Sequence, residues 1–247
     1  MDPYVTLGAT YALTRRPDPR IAAQIGAAIV GTTVVNVGAG TGAYEPADKL
    51  VTAVEPSATM LAQRPPGSAP AVQSSAECLP FGDLHFDTAM AVLTIHHWTD
   101  WRRGLAEMCR VARRQIVLTW DVEVMAKMWL ISEYVPEVAR IERGLATLPE
   151  AVEGLARPGT TVRTAVVPVP ADCTDGFLAA FWRRPERYLD DEVWDGASGL
   201  AKLPRAVRER AMTQLAADLS SGRWHERHDD LLQKTEFDAG YRLVVAP

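Results

Sequence analysis

The residues of this chain best suited to chemistry begin at Thr33, where the run TVVNVGAGTG carries a β-branched segment directly into Gly38, Gly40 and Gly42. Glycine tolerates positive φ and has no side chain, so such a turn brings backbone N–H groups close against a ligand. The next apolar run, LVTAVEPS, reaches Glu55, whose carboxylate can accept hydrogen bonds from both hydroxyls of a ribose. The pattern Gly38-x-Gly40-x-x-Ala43 also satisfies the permissive dinucleotide fingerprint of a nicotinamide-dependent oxidoreductase, and a purely structural tight turn would look the same. The interval from Ala43 to Lys49 argues against a dinucleotide. It is interrupted by Pro46 and is too short for a helix of about three turns at ~3.6 residues each. A ligand without phosphates fits this spacing better.

A second cluster follows the fourth apolar run: His96 and His97 fall where ligands of open α/β sheets bind, at the C-terminal ends of the strands. Either imidazole can serve as a general base, His97 ahead of His96, and either can instead have a packing role. His225, Glu226, His228, Asp229 and Asp230 imitate a metal cluster, but His-Glu-Arg-His is one residue short of HExxH, so a solvated polar segment and no metal are expected. Cys78, beside Leu79, Pro80 and Phe81, reads as a small buried hydrophobe.

The elements that must position these groups alternate between β-branched runs and helical patterns, as expected of a parallel sheet covered on both faces. Seven strands are predicted near Thr32 to Val37, Leu50 to Glu55, Ala71 to Ser74, Thr88 to Leu93, Gln115 to Thr119, Thr161 to Val169, and Tyr241 to Ala246. Helices are predicted at Asp18 to Ile29, Ser57 to Gln63, Trp101 to Ala112, Glu123 to Gly144, and in one or two pieces across Cys173 to Gly222. The fold class is therefore α/β: a Rossmann-like, seven-stranded, mostly parallel sheet with helices on both faces and a helical lid. One domain is expected over 1–247, with residues 1–122 as the ligand-binding half and 123–160 and 171–238 as helical insertions.

In this frame the sequence resembles the class I S-adenosylmethionine-dependent methyltransferases, in particular the broad group containing the ubiquinone and menaquinone biosynthetic enzymes. VNVGAGTG, VTAVEPSATML, SSAECLPFGDLHFD and AVLTIHHW resemble four successive motifs in the expected order, and TYALTRRPDP resembles the Tyr-Arg-Pro element that precedes the first helix. The resemblance covers about Tyr11 to Asp121. It implies S-adenosylmethionine as cofactor, with Gly38, Ala39, Gly40 and Gly42 around its methionine portion, Glu55 on the ribose, and Pro56, Ser57 and Met60 beside the adenine. It further implies Ser75, Ala76 and Glu77 at the adenine edge, Ala91 and Val92 at the methionine end, and Tyr11 and Arg16 closing over the carboxylate. Asn36 stands where the group usually has Asp or Glu, and can hydrogen-bond the cofactor ammonium without charge. A cofactor-binding protein that transfers no methyl group would present the same site.

The methyl acceptor implied is a small molecule. Trp98, Trp120, Met125, Met128, Trp129, Tyr134, Phe177, Phe181 and Trp182 fall in the segments that should cover the pocket, so an aromatic or hydrophobic acceptor is expected, with about a third of these residues touching it and the rest forming core. With 26 basic against 31 acidic residues and no basic stripe, nucleic acid is not the expected partner. No run approaches the ~20 apolar residues of a membrane span, and the N-terminus lacks the basic-then-apolar pattern of a signal peptide. Three widely separated cysteines suggest neither a disulfide framework nor a zinc site, so a soluble cytoplasmic protein is expected.

Overall fold

The computed structural model describes residues 15–247. Its main sheet has seven strands in the order β3-β2-β1-β4-β5-β9-β6: β1 Thr33–Val37, β2 Leu50–Val54, β3 Ala71–Val72, β4 Phe86–Val92, β5 Ala112–Trp120, β6 Arg163–Val166 and β9 Tyr241–Ala246. All neighbours from β3 to β5 pair in parallel, while β9 runs antiparallel to both β5 and β6. A separate two-stranded ribbon joins β7 Val169–Pro170 to β8 Glu236–Phe237. Each of the seven predicted strands is present in the sheet, and the ribbon is an addition that two-residue strands could not announce.

Alternation along the strands divides the core between the two faces of the sheet. Val34 and Met90 join Ile21 and Ile25 of the helix Pro19–Ala28 on one face. Val35 and Ala89 meet Leu105 and Met108 of the helix Trp101–Val111 on the other. Asp18 caps the first of these helices by accepting from the Arg20 N–H at 2.9 Å, with Pro19 in the first turn, where its missing N–H costs nothing. Asp100 caps the second in the same way through the Arg103 N–H.

The lid departs most from expectation. In place of one helix from Glu123 to Gly144 there are three short pieces, Val122–Met125, a π-type turn Leu130–Tyr134, and Glu137–Glu142. Pro136 stands at the break, and its preceding residue, Val135, has φ −135° and ψ 58°, outside the helical region that a following proline disfavours. A helix at Leu148–Leu155 was not expected, although Thr147 and Glu150 have capping-box spacing and the Glu150 carboxylate accepts from the Thr147 N–H at 2.9 Å. The segment from Cys173 to Gly222 folds as several short helical pieces followed by the long helix Arg205–Ser220.

The polar run around His225 is also helical, over Arg223–Leu232, and is anchored by the fully buried Trp224. His228 faces Glu133 at 2.9 Å. Cys78 is exposed rather than buried, while its neighbours Leu79 and Phe81 pack against the core. No helix among the described residues is long and apolar enough to cross a membrane.

Candidate active site

The connection from β1 to β2 contains no helix, only turns. It holds its shape through local hydrogen bonds: the N–H groups of Gly38 and Ala39 donate to the Val54 carbonyl at 2.8 and 3.0 Å, and Gly42 N–H donates to the Ala39 carbonyl at 2.9 Å. Gly38, Gly40 and Gly42 all have positive φ, and a Cβ on Gly38 would run into the Thr94 hydroxyl. Glu55, buried at the end of β2, closes the bend: one carboxylate oxygen accepts from Gly40 N–H at 2.8 Å and the other from Ser57 N–H at 2.9 Å.

The expected chemistry of the bend needs correcting here. Its N–H groups at Gly38, Ala39, Gly40 and Gly42 are spent on protein acceptors, so those four are not offered to a ligand, and the glycines leave the backbone open to close approach. An anionic pyrophosphate would find those donors taken.

Behind the bend, Arg64 forms an almost buried ion pair with Glu45 at 2.8 Å and reaches the Gly40 carbonyl, while Asn36 donates to Glu45 at 3.2 Å. Asn36 thus has a protein partner as well as a place on the cavity wall. Nothing in the glycine motif pointed to Arg64 or Glu45.

A cavity of about 370 Å³ opens over this surface. That is in the range of roughly 300 to 1,000 Å³ usual for small-molecule sites. Its wall brings together most of the residues chosen from sequence: Asn36, Gly38, Ala39, Gly40, Glu55, Pro56, Ser57, Met60, Ser75, Ala76, Glu77, Val92 and His97. Four others, Gly42, Ala91, Arg16 and His96, are placed elsewhere. Gly42 lies behind the bend against Arg64 and Glu45, and Ala91 points into the core under the sheet because it sits one strand position before Val92. Arg16 is exposed, and its neighbour Arg15 takes the cavity position instead. Tyr11 lies outside the described residues.

Glu77 is held in place by accepting from the N–H groups of Thr99 and Asp100 at 2.9 and 3.1 Å. These bonds outweigh the cost of its burial and keep its carboxyl below the usual range. Tyr44 and Leu93, both on the cavity wall, hold positive φ of 65° and 52°, backbone strain of the kind that gathers at functional sites.

His96 lies beyond this cavity, in a smaller one of about 50 Å³ that shares Arg15, Leu93 and His97 with it. The rings of His96 and His97 are 3.7 Å apart. Burial pushes His97 down to about 3, helped by the charges of Lys202 and Arg15, and pushes His96 well below the ordinary range. Both imidazoles are therefore neutral at physiological pH. Trp120, Met125 and Phe177 line the small cavity and Trp98 the large one, whereas Met128, Trp129, Tyr134, Phe181 and Trp182 form core.

The geometry can be set against known proteins. A structure described as a methyltransferase from an antibiotic biosynthesis pathway of Anabaena variabilis matches with a TM-score of 0.87 and 31% identity, over 95% of this chain and 99% of that one. The chain belongs to the class I S-adenosylmethionine-dependent methyltransferases. Residues 35–118 of this methyltransferase match the family described as methyltransferase domain. A SAM-dependent methyltransferase of Thermotoga maritima shares its fold with a TM-score of 0.56 at 15% identity, over 98% of this chain and 95% of that one. The cyclase SpnF shares it at 0.50 and 16%, over 92% and 80%. No curated protein sequence matches the chain.

S-adenosylmethionine is the methyltransferase's cofactor. The bend suits it physically: Gly38 and Gly40 leave backbone open to close approach on the cavity wall, four of its N–H groups are taken by protein acceptors, and the buried Glu55 carboxylate stands beside it.

Proposed function

We propose that this enzyme transfers a methyl group to an O, N or C nucleophile of a small, partly aromatic or hydrophobic acceptor by in-line displacement. The cofactor would lie across the large cavity, its methionine portion over Gly38, Ala39 and Gly40 and near Val92. Glu55 would hold the ribose, with Pro56, Ser57 and Met60 beside the adenine and Ser75, Ala76 and Glu77 at its edge. Residues 1–122 would form this half of one domain, and the helical insertions at 123–160 and 171–238 would form the lid and the acceptor pocket. Three free cysteines suit a reducing compartment such as the cytoplasm.

One observation supports this reading above the others: Arg15, Leu93 and His97 line both cavities, so the two meet at a junction beside the Val92 end of the glycine surface. When bound, the cofactor supplies a methyl group already made electrophilic by its sulfonium. The protein's contribution is then chiefly alignment: holding an acceptor at that junction supplies up to about 7 to 11 kcal/mol through effective molarity. His97, neutral at the junction, would touch the acceptor. Its lowered basicity favours a positioning role over proton abstraction.

Crystallisation with S-adenosylhomocysteine tests the assignment. Its sulfur is expected at the shared junction, within reach of Leu93 and His97. A sulfur pointing to solvent, away from the smaller cavity, would overturn it.

A further inference from the structure

The smaller cavity has polar groups that the protein itself leaves unanswered. Its walls are Leu93, Met125, Phe177, Leu178 and Tyr241, with Gly199 opening the space between Leu178 and Glu142. Among the described residues, three further lining side chains, each more than nine-tenths buried, carry polar atoms without a hydrogen-bond partner: Oε2 of Glu142, Nε1 of Trp120, and both ring nitrogens of His96. A buried polar atom without a partner is costly, and so many around one space point to a ligand that answers them.

We propose that Glu142, Trp120 and His96 form the recognition subsite for a hydroxyl group carried by the methyl acceptor, a small phenol or alcohol with an apolar body. This rests on the methyl-transfer reading above. A hydroxyl is chosen by complementarity. As a carboxylate, above about pH 7, Glu142 needs a donor, the Trp120 indole N–H needs an acceptor, and a hydroxyl is both. An ammonium offers donors alone and would leave the indole unanswered. It would also enter a region where the charges of Lys202 and Arg15 already press on the two histidines. A ketone offers acceptors alone and would leave Glu142 unanswered. The indole and the carboxylate are close enough to act on each other, yet they are not aligned as a hydrogen-bonded pair. The space of about 50 Å³ admits a hydroxyl and the edge of a ring. The flat walls of Trp120, Phe177 and Tyr241 suit such a ring.

The test is a titration of phenol, toluene and benzylamine, followed by ligand-observed NMR, with and without saturating S-adenosylhomocysteine. At pH 8, where Glu142 is a carboxylate, phenol is expected to bind about tenfold or more tightly than toluene, as a hydrogen bond to a charged group allows. Glu142→Gln and Trp120→Phe should each lower that ratio, while S-adenosylhomocysteine binds them as it binds the wild type. Gly199→Ala should abolish phenol binding, since its Cβ would lie 3.0 Å from Leu178 and 3.1 Å from Glu142. Equal binding of phenol and toluene, a preference that survives both Glu142→Gln and Trp120→Phe, or benzylamine as the tightest ligand would overturn the subsite. Failure of S-adenosylhomocysteine to bind, with the phenol preference intact, would leave the subsite standing and overturn the cofactor placement instead.

Discussion

The Tyr44 hydroxyl donates to the buried Asp175 carboxylate at 2.7 Å, across 131 residues of chain. The same carboxylate accepts from Arg15 at 2.7 and 3.3 Å. Tyr44 belongs to the glycine bend and Asp175 to the segment after β7, while Arg15 lines both cavities. One acid therefore ties that segment to the glycine bend and fixes the wall between the two spaces.

Asp175→Ala is expected to destabilise the protein by about 3 to 5 kcal/mol, the usual result of removing one partner from a buried ion pair. Tyr44→Phe should cost less, about 1 kcal/mol, since it removes a hydroxyl and leaves the Arg15 pair in place. Denaturant unfolding of the two variants checks the order. A Tyr44→Phe loss equal to that of Asp175→Ala would contradict the account.

Glu55→Ala should weaken S-adenosylhomocysteine binding by about 1 to 3 kcal/mol, through loss of a charged acceptor for the ribose and of the tie that holds Gly40 and Ser57. Glu55→Gln should fall between it and the wild type. Calorimetric titration measures both, and an unchanged affinity in Glu55→Ala would refute the ribose assignment.

Ligand linkage separates the cofactor from a dinucleotide. S-adenosylhomocysteine at about 100 times its Kd should stabilise the fold by about 2.7 kcal/mol, which for a chain of this size raises Tm by roughly 5 to 10 °C. NAD at the same concentration should raise Tm by less, because the N–H groups of Gly38, Ala39, Gly40 and Gly42 are already engaged. A larger shift with NAD would reverse the conclusion.

The buried histidines are expected not to titrate near neutrality. With His97 pushed down to about 3 by burial and by Lys202 and Arg15, and His96 also well below its ordinary range, the ring-proton NMR signals of both should stay constant from pH 5 to 8. A midpoint near 6.5 for either would contradict their neutral state.

Glu142 makes the opposite prediction for stability. Burial raises its carboxyl to about 7, against the smaller opposing effects of Lys202 and Trp120; Tyr241, His96, His97 and Arg15 are the other titratable groups on the cavity it lines. The folded state thus keeps a proton that the unfolded chain gives up near pH 4.5. Its contribution therefore falls as pH rises from 4.5 to 7 and stays reduced above that. Glu142→Gln should consequently be more stable than the wild type above pH 7, by up to about 3 kcal/mol, and similar to it below pH 4.5. Thermal melts of both proteins across that range would reveal the crossover, and parallel curves would refute it.

Much of the sheet and the cofactor surface was legible in residue order alone. β-branched runs mark the seven strands, and short-range glycine and proline chemistry rules out a regular helix between β1 and β2, because both depend on neighbours a few positions apart. The capping pair Thr147 and Glu150 and the break at Pro136 were equally local signals, and a stricter reading would have caught them.

What the chain order determined by itself is the glycine bend, the acid that follows it, and the strand sequence that brings them to one sheet edge. Only the tertiary structure decided that Arg15 rather than Arg16 faces the cavity, that the bend's donors are already spent, and that Glu142 meets Trp120 and His96 around a second space. The first set depends on backbone preferences a few residues long. The second depends on which side chains from distant segments share a buried volume, and local spacing carries no record of that.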